Sequence, residues 1–282
     1  MKNKLILLLV TTCFSFGFCQ TKSPKLIVRG DDMGYSHSGN LALIQSYKEG
    51  IETSIEVIVP APWFPEAIKM LKENPNIDVG IHLAITSEWD NVKWRPISDC
   101  PSLKNEDGYF HPMVFTNPNY PKESISENEW KIEDVEKEFR AQIELGLKHI
   151  PQVSHISGHM GCSNLSEAVH DMTKKLAKEY GLLYDLSKFN VERPKYDATP
   201  KTYEGRLKSF LDMLDTLQPN KTYIYVEHPG IDNQELQAIS HIGYEDVAKH
   251  RQDVTSIFTS KIVKDKILEK GIKLISYKDI IK

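Results

Sequence analysis

Two adjacent carboxylates, Asp31 and Asp32, end the apolar run Leu26–Ile27–Val28 and are followed by Met33 and Gly34. Aspartate is a poor strand former, and neighbouring like charges repel, so a strand that ends this way pays in stability for what it presents. Taken alone, the pair also reads as a solvated turn capping the next helix. Three later apolar runs end in or near a histidine: Ile77 to His82, Val153 through His155 to His159, and Tyr223 to His228. Aspartate and histidine together form a hard-to-borderline donor set suited to a divalent cation.

These groups need elements to bring them together. Short β-branched runs alternate with longer segments of helical period, the pattern of βα units on a parallel sheet. Strands are expected at Lys25 to Arg29, Ser54 to Val59, Asp78 to Leu83, Val153 to Ile156, Leu182 to Leu186, Thr222 to Glu227 and Lys273 to Ser276. Helices are expected at Gly39 to Glu49, Phe64 to Glu73, Glu129 to His149, Ser166 to Tyr180, Glu204 to Leu217 and Ser260 to Lys270, with Ser126 and Glu129 as a capping box for the third. The fold class is α/β: one (β/α) barrel-like domain, distorted or with fewer than eight strands. In such a barrel, functional groups lie at the carboxyl ends of strands, and Asp31, Asp32, His82, His159 and His228 all fall there. A single histidine is more often a core residue satisfied by one hydrogen bond, but several at equivalent strand ends are hard to attribute to packing. His155 lies inside its strand and reads as a core group or as support for a ligand. His37, His111, His149, His170, His241 and His250 lie in loops or helix patterns and receive no chemistry.

At the N-terminus, Lys2 and Lys4 precede the apolar run Leu5 to Val10, the pattern of a secretory signal peptide, with cleavage expected after Cys19 and the mature domain spanning residues 20–282. The run is too short to span a bilayer, so no stable membrane insertion is expected, and the location is periplasmic or secreted. Lipidation of Cys19 is the lesser alternative, because Phe18 is bulky where a lipoprotein signal wants a small residue. Losing Lys2 and Lys4 takes the formal charge from −4 to −6, an acidic balance that argues against nucleic acid. Only Cys100 and Cys162 would remain, too few for a disulfide scaffold, although export permits one bridge. No heptad run marks a coiled coil, and oligomeric state is not specified.

Asp31–Asp32 after a strand, Gly80–Ile81–His82–Leu83 with Thr86, His155–Ile156–Ser157–Gly158–His159, and Glu227–His228–Pro229–Gly230 together resemble the YdjC-like carbohydrate deacetylases, which include chitooligosaccharide deacetylase. Arg251, Asp253 and the closing Gly271 to Tyr277 extend the resemblance. It implies a barrel-like fold with one divalent cation, magnesium or zinc foremost and manganese or cobalt also compatible, bound by Asp32, His82 and His159. It further implies Asp31 as general base, and the leaving amine then needs a proton donor, for which His228 is the candidate. The expected substrate is an N-acetylated sugar or oligosaccharide. Two departures stand out: the family commonly carries an aspartate where this chain has Ser157, and a histidine where it has Gly161. An altered metal environment or substrate fit is the expectation.

The segment Glu88 to Ser126 is rich in Trp, Pro, Asn and Asp and reads as a long loop over one barrel face. Trp89 and Trp94 in it serve either to stack on sugar rings or to pin the loop. Three functions therefore stand side by side: a metal-dependent carbohydrate N-deacetylase; a secreted carbohydrate-binding protein on a decayed enzyme scaffold; and a hydrolase of other acyl bonds, an O-acetyl esterase among them.

Overall fold

The computed structural model describes residues 23–281, so the leader read in the sequence lies outside the described residues. Strand β1 (Lys25–Met33) carries the paired aspartates and organises the sheet. Helix α1 (His37–Glu49), β2 (Ser54–Val57), α2 (Phe64–Glu73), β3 (Asp78–Leu83), α3 (Ile132–His149) and β4 (Val153–Gly158) follow in βα alternation. The second half comprises α4 (Glu167–Glu179), β5 (Val191–Glu192), α5 (Tyr203–Thr216), β6 (Thr222–Glu227), α6 (Gln234–Gln237), α7 (Val247–Thr259), α8 (Lys261–Glu269), β7 (Lys273–Leu274) and α9 (Lys278–Ile281). All strand pairs are parallel, in the order β4-β3-β2-β1-β6-β5 with β7 also on β1, which gives a half-barrel surrounded by helices. The expected α/β barrel-like architecture is therefore present in distorted form.

One edge of β1 is shared by two partners. The Leu26 carbonyl accepts from Ile275 N beside β7, and the Val28 carbonyl accepts from Thr53 N just before β2. β2 and β3 are buried along their whole length, consistent with strands covered by helices on both faces. Main-core side chains from β2, β3, α2, α3 and α4 pack together, and a second cluster joins β1 and β6 to α5, α7 and α8.

Several element boundaries differ from the sequence reading. Leu182 to Leu186 is not a strand: only Leu183 bridges to His155, and the Asp185 carboxylate then accepts Ser187 N at 3.0 Å and starts a 3-10 turn over Leu186–Phe189. The capping box is also absent. Helix α3 starts after Lys131, whose N–H donates to Ser102 Oγ at 3.1 Å, while Ser126 sits in a separate short turn with Ser124 and Glu127. The sequence pattern shows no helix at α7, because its polar run Lys249–His250–Arg251–Gln252–Asp253 hides a buried face of Ala248, Arg251, Val254, Thr255 and Phe258.

The segment between β3 and α3 is a long loop, as expected. Glu138 of α3 holds it through Ile97 N, Ser98 N and Ser98 Oγ, and Trp89 and Trp94 are 1% and 3% exposed. The tryptophans pin the loop and offer no free ring face. Cys100 and Cys162 are both buried and free, the latter donating to Leu83 O at 3.0 Å. Among the described residues, no helix is long and apolar enough to cross a membrane.

Candidate metal and acyl-transfer site

Consecutive strand residues normally point to opposite faces. Asp31 and Asp32 escape that alternation because the β1–β2 register shifts between Gly30 and Met33 and Asp32 adopts φ +75°, in the left-handed region. Both carboxylates thereby face His82 at the end of β3: its Nε2 lies 3.6 Å from Asp31 Oδ2 and 3.7 Å from Asp32 Oδ1. His159, just beyond β4, brings Nδ1 to 3.2 Å from Asp32 Oδ1. One ligand atom from each of Asp32, His82 and His159 lies within 4.8 Å of the others, and all three residues are buried.

The surrounding hydrogen bonds fix which atoms are free. The Ser157 hydroxyl donates to Glu56, so its oxygen accepts from His82 Nδ1–H at 2.7 Å, leaving the His82 Nε2 lone pair directed at the aspartates. His159 Nε2 lies 3.1 Å from Glu88 Oε2, which leaves Nδ1 toward Asp32. Asp32 Oδ2 accepts from Arg251 Nη2 at 2.9 Å, whereas buried Asp32 Oδ1 has no hydrogen-bond partner. An unpartnered buried carboxylate oxygen between two oriented imidazole nitrogens fits a divalent cation, with carboxylates behind both histidines as supporting partners.

Glu56 also receives His155 Nε2, and the His155 ring stacks on Tyr277 with centroids 3.5 Å apart. His155 is thus a support group. Gly80 is required between them, since a Cβ there would collide with both Glu56 and His155. Asp31 is held by a two-pronged contact from Arg29, whose Nε and Nη2 donate at 2.7 and 2.8 Å. Arg29 Nη1 donates in turn to Tyr277 Oη at 3.0 Å.

Electrostatics divide the site. Burial pushes His82 down to about 4, outweighing the nearby aspartates. Burial opposes ionisation of His159 too, but Glu88 and Asp32 raise it to about 10. Burial alone would raise Asp32; His228, His159 and Arg251 instead hold it well below the usual carboxylate range. His228, after β6, has Nε2 3.8 Å from Asp32 Oδ2, and against burial Asp32 and Glu227 raise its pKa. Its side chain is 38% exposed, which makes it the accessible histidine of the group.

All five site residues read from the sequence therefore converge. The sequence reading gives Glu56, Glu88, Arg29 and Arg251 no role at the site; a charge within an otherwise apolar strand could mark Arg29 and Glu56, whereas Glu88 lies in a loop and Arg251 in a polar run, its one signal being the family resemblance. On the open side, Met160 and Phe115 are 37% and 47% exposed, and Phe115 abuts Gly161.

A family model described as YdjC-like protein matches residues 25–269. Curated relatives include Carbohydrate deacetylase 2 of Listeria innocua, 26% identical over 91% of this chain and 98% of that protein. The Carbohydrate deacetylase of Clostridium beijerinckii is 30% identical over 91% of this chain and all of its own length. Among solved structures, an Enterococcus faecalis protein provisionally named for cellobiose-phosphate cleavage superposes with a TM-score of 0.71 at 25% identity, covering 92% of this chain and 99% of that one. The half-barrel, the retained strand-end motifs and these matches agree: the chain belongs to the YdjC-like family.

Proposed function

We propose that this protein is a metal-dependent carbohydrate deacetylase, removing the acetyl group of N-acetylated sugars or oligosaccharides. The observation that carries this reading is the unpartnered Asp32 Oδ1 between His82 Nε2 and His159 Nδ1, with the separately tethered Asp31 alongside. The names of the curated relatives support the substrate class.

Asp32, His82 and His159 would hold the cation, which would supply Lewis acidity to polarise the acetyl carbonyl and lower the pKa of a water. Asp31, oriented by Arg29, takes the proton of the attacking water. His228, whose pKa Asp32 and Glu227 raise against burial, gives a proton to the leaving amine. Arg251 holds Asp32 from behind and leaves Oδ1 free. Phe115 and Met160 provide apolar surface beside His159 for a sugar ring. The charged-then-apolar leader supports export, so the substrate is extracytoplasmic.

The test is acetate release by metal-stripped protein reloaded with zinc, magnesium, manganese or cobalt, against N-acetylated and O-acetylated sugars. Release that requires metal and disappears in Asp31→Asn supports the reading, and the two panels decide between amide and ester. Sugar binding without acetate release under every metal would replace it with a binding function.

A further inference from the structure

Where the half-barrel fails to close beyond β4, a polar cavity of about 370 Å³ opens, lined in part by Arg29, Ser157, Gly161, Asn164, Asp185 and Arg193. It adjoins the site through two groups already in use. Arg29 grips Asp31, and Ser157 accepts from the ligand histidine His82. Its wall is formed by positions two before and two after His159, and Gly161, at φ +72°, puts no side chain into it.

The charges of the lining are unevenly committed. Arg29 spends all three nitrogens on Asp31 and Tyr277. Asp185 accepts from Ser187 N and Oγ through its Oδ1. Arg193, which is exposed, has no hydrogen bond or ion pair among the described residues. A polar cavity beside an acyl-transfer site with one uncommitted guanidinium is matched to a planar monoanion, which a guanidinium can bind through two parallel hydrogen bonds. A dianionic phosphate would find only one free cation and a nearby carboxylate.

We propose that this cavity is a subsite for a sugar carboxylate, carried on the acetylated unit or its neighbour, with Arg193 as the recognising residue. The proposal rests on the deacetylase reading for the acetylated part of the ligand, but binding tests it without turnover.

Calorimetric titration of the metal-loaded full chain would use three probes: a hyaluronan tetrasaccharide, which alternates N-acetylglucosamine with glucuronate; the neutral tetra-N-acetylchitotetraose; and N-acetylglucosamine 6-phosphate. The acidic tetrasaccharide should bind about tenfold tighter than the neutral one, the scale of one charge-assisted hydrogen-bonded pair. In Arg193→Gln the ratio of the two affinities should fall to near one, and in Arg193→Lys part of it should return. Equal affinities in the wild type, no binding of the acidic probe, or a ratio that survives Arg193→Gln would overturn the subsite. Tightest Arg193-dependent binding of the phosphorylated sugar would overturn its assignment to a carboxylate. Acetate assays on the same samples keep the two readings apart, since an Arg193-dependent affinity ratio without acetate release defeats the deacetylase reading and leaves the subsite standing.

Discussion

His82 Nδ1 donates to Ser157 Oγ at 2.7 Å, and the Ser157 hydroxyl passes the contact on to Glu56 of β2. The carboxylate that the family commonly places at the serine position is supplied here from β2, two strands away from β4, one hydroxyl further off. Ser157→Ala should therefore lower metal affinity about 10–100-fold, as losing a partner behind a ligand histidine commonly does. Ser157→Asp should not improve matters, because it sets a second buried carboxylate against Glu56. Competitive chelator titration of both variants checks this; unchanged affinity in Ser157→Ala would rule out the relay.

Arg29 and Asp31 form a pair whose role is separable from metal binding. Arg29→Lys keeps the charge but loses the two-pronged grip, so kcat should fall by about 10-fold or more while metal stoichiometry stays at that of the wild type. Steady-state kinetics alongside metal analysis would show it. A parallel loss of bound metal would mean that Arg29 supports the whole site.

Glu52 is buried beneath Gly30 with neither carboxylate oxygen hydrogen-bonded. Burial, reinforced by Asp31, raises its pKa well above the ordinary 4.5. Below about that pH both folded and unfolded states hold the proton, and no penalty arises. As pH rises, the unfolded chain ionises freely while the folded one resists, so this group makes stability fall toward alkaline pH. Glu52→Gln should thus match the wild type near pH 4 and be more stable at pH 8, by about 1–3 kcal/mol. Urea unfolding at the two pH values decides; a gap that is the same at both, or reversed, would contradict a neutral Glu52.

The aromatic residues of the long loop should separate by function. Trp94→Ala removes a buried side chain and should cost about 3–5 kcal/mol. Phe115→Ala, at an exposed position beside Gly161, should leave the thermal midpoint near the wild-type value and raise KM for the sugar. Differential scanning calorimetry and steady-state kinetics on the pair would reveal the reverse pattern if the assignment is wrong.

Strand ends proved easier to read than the contacts behind them. Asp31, Asp32, His82, His159 and His228 were recognisable because each follows an apolar run, and the topology then gathers them. What a linear pattern does not carry is the left-handed turn at Asp32, since the same Asp–Asp pair on an unbroken strand would face two ways. Nor does it mark Glu56 as a partner of His82, because that link runs between strands through Ser157. Helix α7 was hidden by a charged run whose Arg251 turns inward to Asp32, and Leu182 to Leu186 read as a strand because Asp185 intervenes only after the apolar run is under way.

Strand β1 pairs at Lys25 and Leu26 with β7, and Tyr277, three residues beyond β7, secures Arg29. The strand that carries the paired aspartates is thus completed by a segment distant in sequence, Arg29 and Tyr277 lying 248 positions apart. Such distant pairing is slow to form. The grip on Asp31 therefore depends on pairing between segments far apart in the chain, and local opening of the stretch from β7 to Tyr277 would loosen it without touching either aspartate.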